Sequence, residues 1–176
     1  FILHVYIHQP DERKPGITAW FGTAFNRHNT WFEPSRAFID YTRRSGVLLK
    51  AGRPAVDVAY YIGENAPSMQ GPRDPALPDG YDFDYLNSDV LLRLAAVADG
   101  RIVLPNGPSY AALVLPRQTV MRPEVAEAIR RLVRDGACVI GPRPSASPSL
   151  AGYPECDRTV SAIAAEVWGP VDGRTV

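Results

Sequence analysis

Apolar and polar positions follow two different periods along this chain, and the switches between them predict its elements. Residues 1–7, "FILHVYI", alternate β-branched and aromatic side chains with others and read as a strand. Residues 9–30 have no period and carry Gly and Pro punctuation, so they read as a long loop, of the kind that is usually functional or mobile. Phe38, Tyr41, Leu48 and Leu49 then approximate a helical stripe, with Pro34 suited to the first turn and Gly52 and Pro54 as the stop. Residues 55–62 predict a buried strand, and residues 64–82 a second irregular stretch rich in Pro, Gly and Asp.

The second half keeps changing period. Asn87 or Ser88 suits the N-cap of a helix with Val90, Leu91, Leu94 and Val97 inward, closed by Gly100. "RIVLPNGPSYAALVLP" predicts two strands around Pro105-Asn106-Gly107, and the wholly apolar residues 111–115 suit a central strand covered on both faces. Pro123 opens a helix with Val125, Ile129, Leu132 and Val133 inward, ended by Gly136. "ACVIG" predicts another buried strand, with Cys138 as a small buried hydrophobe. After a Pro- and Ser-rich loop, Asp157 is the expected cap of a last helix through Trp168, with Val160, Ile163, Ala164 and Val167 inward. Strands alternating with amphipathic helices predict the α/β class: a mostly parallel sheet flanked by helices on both faces. About four strands between residues 55 and 141 match a flavodoxin-like or class I amidotransferase-like domain in size.

Composition narrows the function classes. The chain has 176 residues, of which 45% are apolar and 22% charged, enough for a packed core. Nineteen basic residues balance nineteen acidic ones, and the charges are scattered, so no nucleic-acid or membrane-surface partner is expected. No apolar run approaches a membrane span, and no signal peptide is visible; a secreted or periplasmic setting stays compatible with this. Two cysteines, Cys138 and Cys156, make neither a zinc pattern nor a disulfide framework.

The candidate chemistry crowds into the first residues. His4 and His8, four apart, share a face if both lie on one strand, and His8 then sits at its C-terminal edge. They serve equally as hydrogen-bonding residues of a half-buried strand. "TAWFGTAFNRHNTWF" interleaves aromatics with Asn, Arg and His, as sugar sites do: ring faces pack on C–H groups while amides and charges bond hydroxyls. A loop anchored by Trp20, Phe21 and Phe25 fits the same residues. Asp82, Asp84 and Asp89 stand near a helix start, where capping is the default role and a polyol-binding edge the alternative. "IGENAPSMQGP" lacks dinucleotide and Walker spacing, and no Gly-x-Cys-x-Gly or Gly-x-Ser-x-Gly elbow is present, which argues against an active amidotransferase.

Taken together, "HVYIHQP", "GTAFNRHNTWF", "GRPAVDVAYYIGENAP", "LPDGYDFDYLNSDVLL", "VLPNGPSYAALVLP" and "GPRPSASPSLAGYPECD" resemble the C-terminal part of α-L-rhamnosidases of glycoside hydrolase family 106. The resemblance implies a large enzyme with a (β/α)8 catalytic barrel, an amidotransferase-like α/β domain and β-sandwich domains. It implies inverting hydrolysis of terminal α-L-rhamnosides of plant or microbial glycans, two glutamates as acid and base, and a calcium ion at the sugar. Neither glutamate is matched here; both are expected upstream of Phe1, so the chain alone is expected to be inactive. On this reading residues 1–53 are the last strand, rim loop and helix of the barrel. Residues 54–169 are the accessory domain, and residues 170–176 a tail. Position at the rim of that last strand, and no family catalytic motif, makes His4, His8, Gln9, Asn29 and Trp31 the expected substrate-binding residues, with no metal ligand assigned. The competing expectation is a stand-alone flavodoxin-like module for FMN or a small metabolite, or a structural domain without a ligand.

Overall fold

The computed structural model describes residues 25, 27, 29–64, 71, 73–105 and 107–169. The strand expected over residues 1–7 and the tail from residue 170 lie outside them. The chain divides into two compact units, Phe1–Arg53 and Pro54–Val176.

In the first unit, α1 spans Arg36–Ala51, with Ser35 at its N-cap and Gly52 extended at its C-cap. Pro34 therefore stands just ahead of the helix, in the turn over residues 30–35. The expected helix forms, but none of its residues is buried. Tyr41, Leu48 and Leu49 are 62%, 76% and 83% exposed. Periodicity selects which side of a helix is apolar; it does not supply the surface that covers it.

The second unit is built on four parallel strands: β1 Val58–Tyr61, β2 Phe83–Leu86, β6 Ala112–Val114 and β7 Cys138–Ile140. They run in the order β2-β1-β6-β7, with Ala59 opposite both Asp84 and Leu113. A second sheet of three short antiparallel strands joins β3 Ala96–Ala98, β4 Arg101–Val103 and β5 Ser109–Tyr110. The helices are α2 Ser88–Arg93, α3 Pro123–Arg134 and α4 Glu155–Trp168. Strand alternation sorts the side chains of β1 and β6 by face. Ala59, Tyr61, Leu113 and Leu115 share one core with Leu91 of α2, Val125, Ile129 and Leu132 of α3, and Ile163 of α4. On the reverse face the Tyr60 ring meets those of Phe83 and Tyr85, its hydroxyl donates to the Pro75 carbonyl, and Arg73 lies 5.3 Å over Phe83. Helices of this unit thus flank one face, and irregular chain covers the other.

The mostly parallel sheet with flanking helices is as expected, but its membership differs. β2 was not expected, because "FDYL" alternates acids with aromatics and reads as the approach to a helix. The strand at residues 101–103 belongs to the antiparallel sheet instead. The helix expected through Val97 stops at Arg93, with Asn87 as the cap, its side chain accepting from Val90 N–H at 3.0 Å. Beyond it, Asp99 and Gly100 have φ of 51° and 73° and turn β3 into β4. Asp-Gly between apolar pairs is a strong two-residue hairpin signal, and the i, i+4, i+7 spacing of Val90, Leu94 and Val97 masked it.

Two further expectations are corrected. β7 is an edge strand, so Cys138 is exposed and Ile140 47% exposed. Pro154, not Asp157, occupies the N-cap of α4; the Asp157 carboxylate accepts from Ser147 N–H at 2.8 Å and ties the preceding loop to the helix. The inward faces of α3 and α4 are as expected: Val125, Ile129, Leu132, Val160, Ile163 and Ala164 are buried, with Val133 and Val167 partly so.

Candidate functional site

Of the expected substrate-binding residues, Asn29 and Trp31 are described, whereas His4, His8 and Gln9 lie outside the described residues. Asn29 organises the turn before α1. Its side-chain oxygen accepts from Trp31 N–H at 3.2 Å, and its carbonyl from Phe32 N–H at 3.0 Å. The Trp31 carbonyl then accepts from Ser35 N–H at the start of the helix. The Phe25 ring stands 5.6 Å from Trp31, inclined at 52°, and 5.4 Å edge-on from Phe32. Trp31 nevertheless stays 40% exposed. An indole held by its backbone and backed by another ring, with area left open, can take the C–H face of a sugar.

A second candidate site is the crevice outside the carboxyl ends of β1 and β6, where strand order reverses. Open α/β sheets bind ligands there. Here described side chains crowd into it. A Cβ on Gly63 (φ 82°) would stand 3.0 Å from the Gln118 side-chain oxygen and 3.2 Å from Pro116. One void among the described residues, lined by Tyr61, Leu115, Pro116, Gln118, Val120, Met121 and Pro142, is about 10 Å³, the space of one water. Glu64, its side chain 6% exposed, accepts from Arg122 N–H at 2.6 Å and from the Arg122 guanidinium, which also bonds Glu124 at 2.7 Å. A carboxylate of the chain itself therefore occupies the N-terminus of α3, where an anionic ligand would otherwise sit. The Glu64 hydrogen bond and the neighbouring Glu124 raise the Arg122 pKa against the opposing effect of burial.

Tyr61 lies beneath this pair, with its hydroxyl 2.9 Å from Ser88 Oγ. Burial pushes its pKa from the usual 10.0 up to about 12, despite the Ser88 hydrogen bond. The folded value exceeds the unfolded one, so the folded chain holds the proton longer as pH rises. Stability carried by Tyr61 is complete below pH 10 and is lost between pH 10 and about 12. Absorbance titration of the phenolates should therefore show a late component near pH 12 in the wild type, absent in Tyr61→Phe. Loss of no component in the variant would refute the assignment.

The three acids grouped by sequence do separate work. Asp82 accepts from its neighbour Phe83 N–H at 2.8 Å, and Asp84 from the buried Tyr110 hydroxyl at 2.9 Å, joining the two sheets. Burial first, and then this carboxylate, raise the Tyr110 pKa. Asp89 pairs with Arg93 one turn along α2. Neither Asp82 nor Asp84 caps a helix. Among the described residues, no three His, Cys, Asp or Glu side chains converge as metal ligands would.

The Glyco_hydro_106 family model, described as alpha-L-rhamnosidase, matches residues 1–176. A protein of Formosa agariphila bearing the name "Putative beta-glucuronidase" is 40% identical over 170 residues, 96% of this chain. The solved rhamnosidase from Novosphingobium sp. PP1Y superposes with a TM-score of 0.71 at 36% identity over 84% of this chain. The chain spans only 14% of the length of each of these two proteins.

Proposed function

Because the chain belongs to glycoside hydrolase family 106, the family of α-L-rhamnosidases, we propose that it contributes one wall of a sugar site and an adjoining accessory domain to a larger glycosidase. The half-exposed Trp31, backed by Phe25 and positioned by Asn29, is the observation that carries this reading. Residues 1–53 are read as the last strand, rim loop and outer helix of a (β/α)8 barrel, whose active site lies at the carboxyl ends of its strands. The uncovered apolar stripe of α1 suits a helix that packs within such a ring. Trp31 packs against the sugar ring, and His4, His8, Gln9 and Asn29 orient its hydroxyls.

The substrate class is a terminal α-L-rhamnoside, cleaved with inversion. Inversion needs two carboxyl groups about 6.5–9.5 Å apart, so that water enters opposite the leaving group. No residue of this chain is assigned to that pair, and none to the calcium ion implied by the family resemblance; no step here depends on the ion. Residues 54–169 are read as an amidotransferase-like α/β accessory domain. The strand order β2-β1-β6-β7 and the self-filled crevice support a structural role over nucleotide binding. The Formosa agariphila relative's name favours one rival substrate, a β-glucuronide.

Aryl α-L-rhamnoside and aryl β-glucuronide, offered separately to the full-length protein, decide between the two substrates. Rhamnoside hydrolysis is expected, with no turnover by the 176-residue chain alone. Trp31→Ala and His8→Ala in the full-length protein should each lower kcat/KM at least ~tenfold, about 1.4 kcal/mol of transition-state binding, with melting temperature nearly unchanged. Activity that falls only in step with stability would return both residues to a packing role.

A further inference from the structure

The parallel sheet has one conspicuously open side. Leu115 N–H bonds the Ile140 carbonyl at 2.8 Å, so the backbone groups of Ile140 and Cys138 face β6. Successive residues of a strand point their backbone groups to opposite sides, which leaves the N–H and C=O of Val139 on the outer edge. No described residue bonds them. Beside that edge runs a cleft of about 480 Å³ lined chiefly by apolar side chains, among them Val133, Val139, Val167 and Trp168. A backbone edge next to apolar surface is a template for one more strand.

Topology says where that strand comes from. α3 and α4 pack side by side and run the same way. Just ahead of α3, Met121 N–H bonds the Ala146 carbonyl, and Ser161, midway along α4, bonds that of the adjacent Ser145; farther along both helices, Arg130 and Arg134 bond Glu166 at 3.1 and 3.0 Å. Parallel crossovers share one hand. α3 carries the chain outward from β6 to β7. α4 lies on the same face, so a crossover through it steps outward again, past β7. The exit from α4 is held at this edge: Trp168 donates to the Gly141 carbonyl and Arg143 to the Gly169 carbonyl, both at 3.0 Å, and Gly169 (φ 67°) turns the chain out of the helix. The relatives are long enough to supply more polypeptide, since this chain spans 14% of their length.

We propose that in the full-length protein a fifth parallel strand, supplied by the polypeptide that follows α4, pairs with β7. Its inward side chains fill the cleft between Val133, Val139, Val167 and Trp168. The sheet then ends one strand later, and the backbone edge of β7 is paired. This pairing is independent of which sugar the enzyme cleaves.

Residue-resolved hydrogen exchange on the full-length protein tests it. Val139 N–H should be slowed at least ~100-fold relative to a free amide, approaching Ile140 N–H, which already faces β6. A Val139 amide that exchanges freely beside a protected Ile140 overturns the proposal. The source of the strand is read by placing the photo-crosslinker p-benzoylphenylalanine at Ile140. Capture of a peptide C-terminal to α4 in the same chain supports it. Capture of a second copy, or of a segment N-terminal to β1, refutes it.

Discussion

Arg122→Ala should destabilise the α/β unit by about 3 kcal/mol. The loss strands a carboxylate: Glu64 is 6% exposed and, among the described residues, would keep only the backbone N–H of residue 122 as a donor. Removing one partner of a buried pair typically costs ~3–5 kcal/mol, because the other charge stays behind without compensation. The lower end applies, since the Arg122 side chain is itself 37% exposed and a backbone donor remains. Glu64→Leu should cost less, about 1–2 kcal/mol. It leaves one N–H at the start of α3 unsatisfied, while the freed guanidinium keeps Glu124 and reaches solvent. The double variant should be more stable than the sum of the single losses predicts, because no charge is then stranded. Urea unfolding of all three, followed by circular dichroism, gives the ordering. An Arg122→Ala midpoint within error of wild type would mean that the pair does not hold the crevice shut.

Ile129→Ala should cost about 2–5 kcal/mol, and Ile129→Val about 0.5–1.5. Ile129 has no exposed surface and belongs to the core that joins α3 to β1 and β6. Truncating it leaves a cavity between helix and sheet that neither can close without shifting. Leu48→Ala in α1 removes more atoms than Ile129→Val but should change the stability of the chain by under about 0.5 kcal/mol, as Leu48 is 76% exposed. The two stripes look alike on paper, so the contrast measures how far burial, rather than periodicity, sets the energy. Equal costs for Leu48→Ala and Ile129→Ala would show that α1 is covered within this chain.

Local chemistry was enough for some elements. Pro123 at the first helical position, the i, i+4 spacing of Val125 and Ile129, and the left-handed Gly136 define α3 with no help from the rest of the molecule. The apolar run at residues 111–115 announced a central strand, and β6 does have a partner on each side. The family was legible too, in short stretches whose residues, rather than their periodicity, carry the resemblance. Partner choice was not legible. Whether "FDYL" becomes β2 depends on Tyr60 of β1 offering its ring to Phe83 and Tyr85, and on Tyr110 reaching Asp84. Whether "ACVIG" is buried depends on how many strands follow it. Glu64 and Arg122 stand 58 residues apart, and no spacing rule links them. Periodicity is a property of neighbours along the chain, so the sequence by itself determined the helices α1, α3 and α4, the apolar side of each, and the strands β1, β6 and β7, but not β2 or β3. Strand order, the edge at β7 and the closed crevice come from contacts between distant segments, whose energies exist only once the chain has folded, and these only the tertiary structure decided.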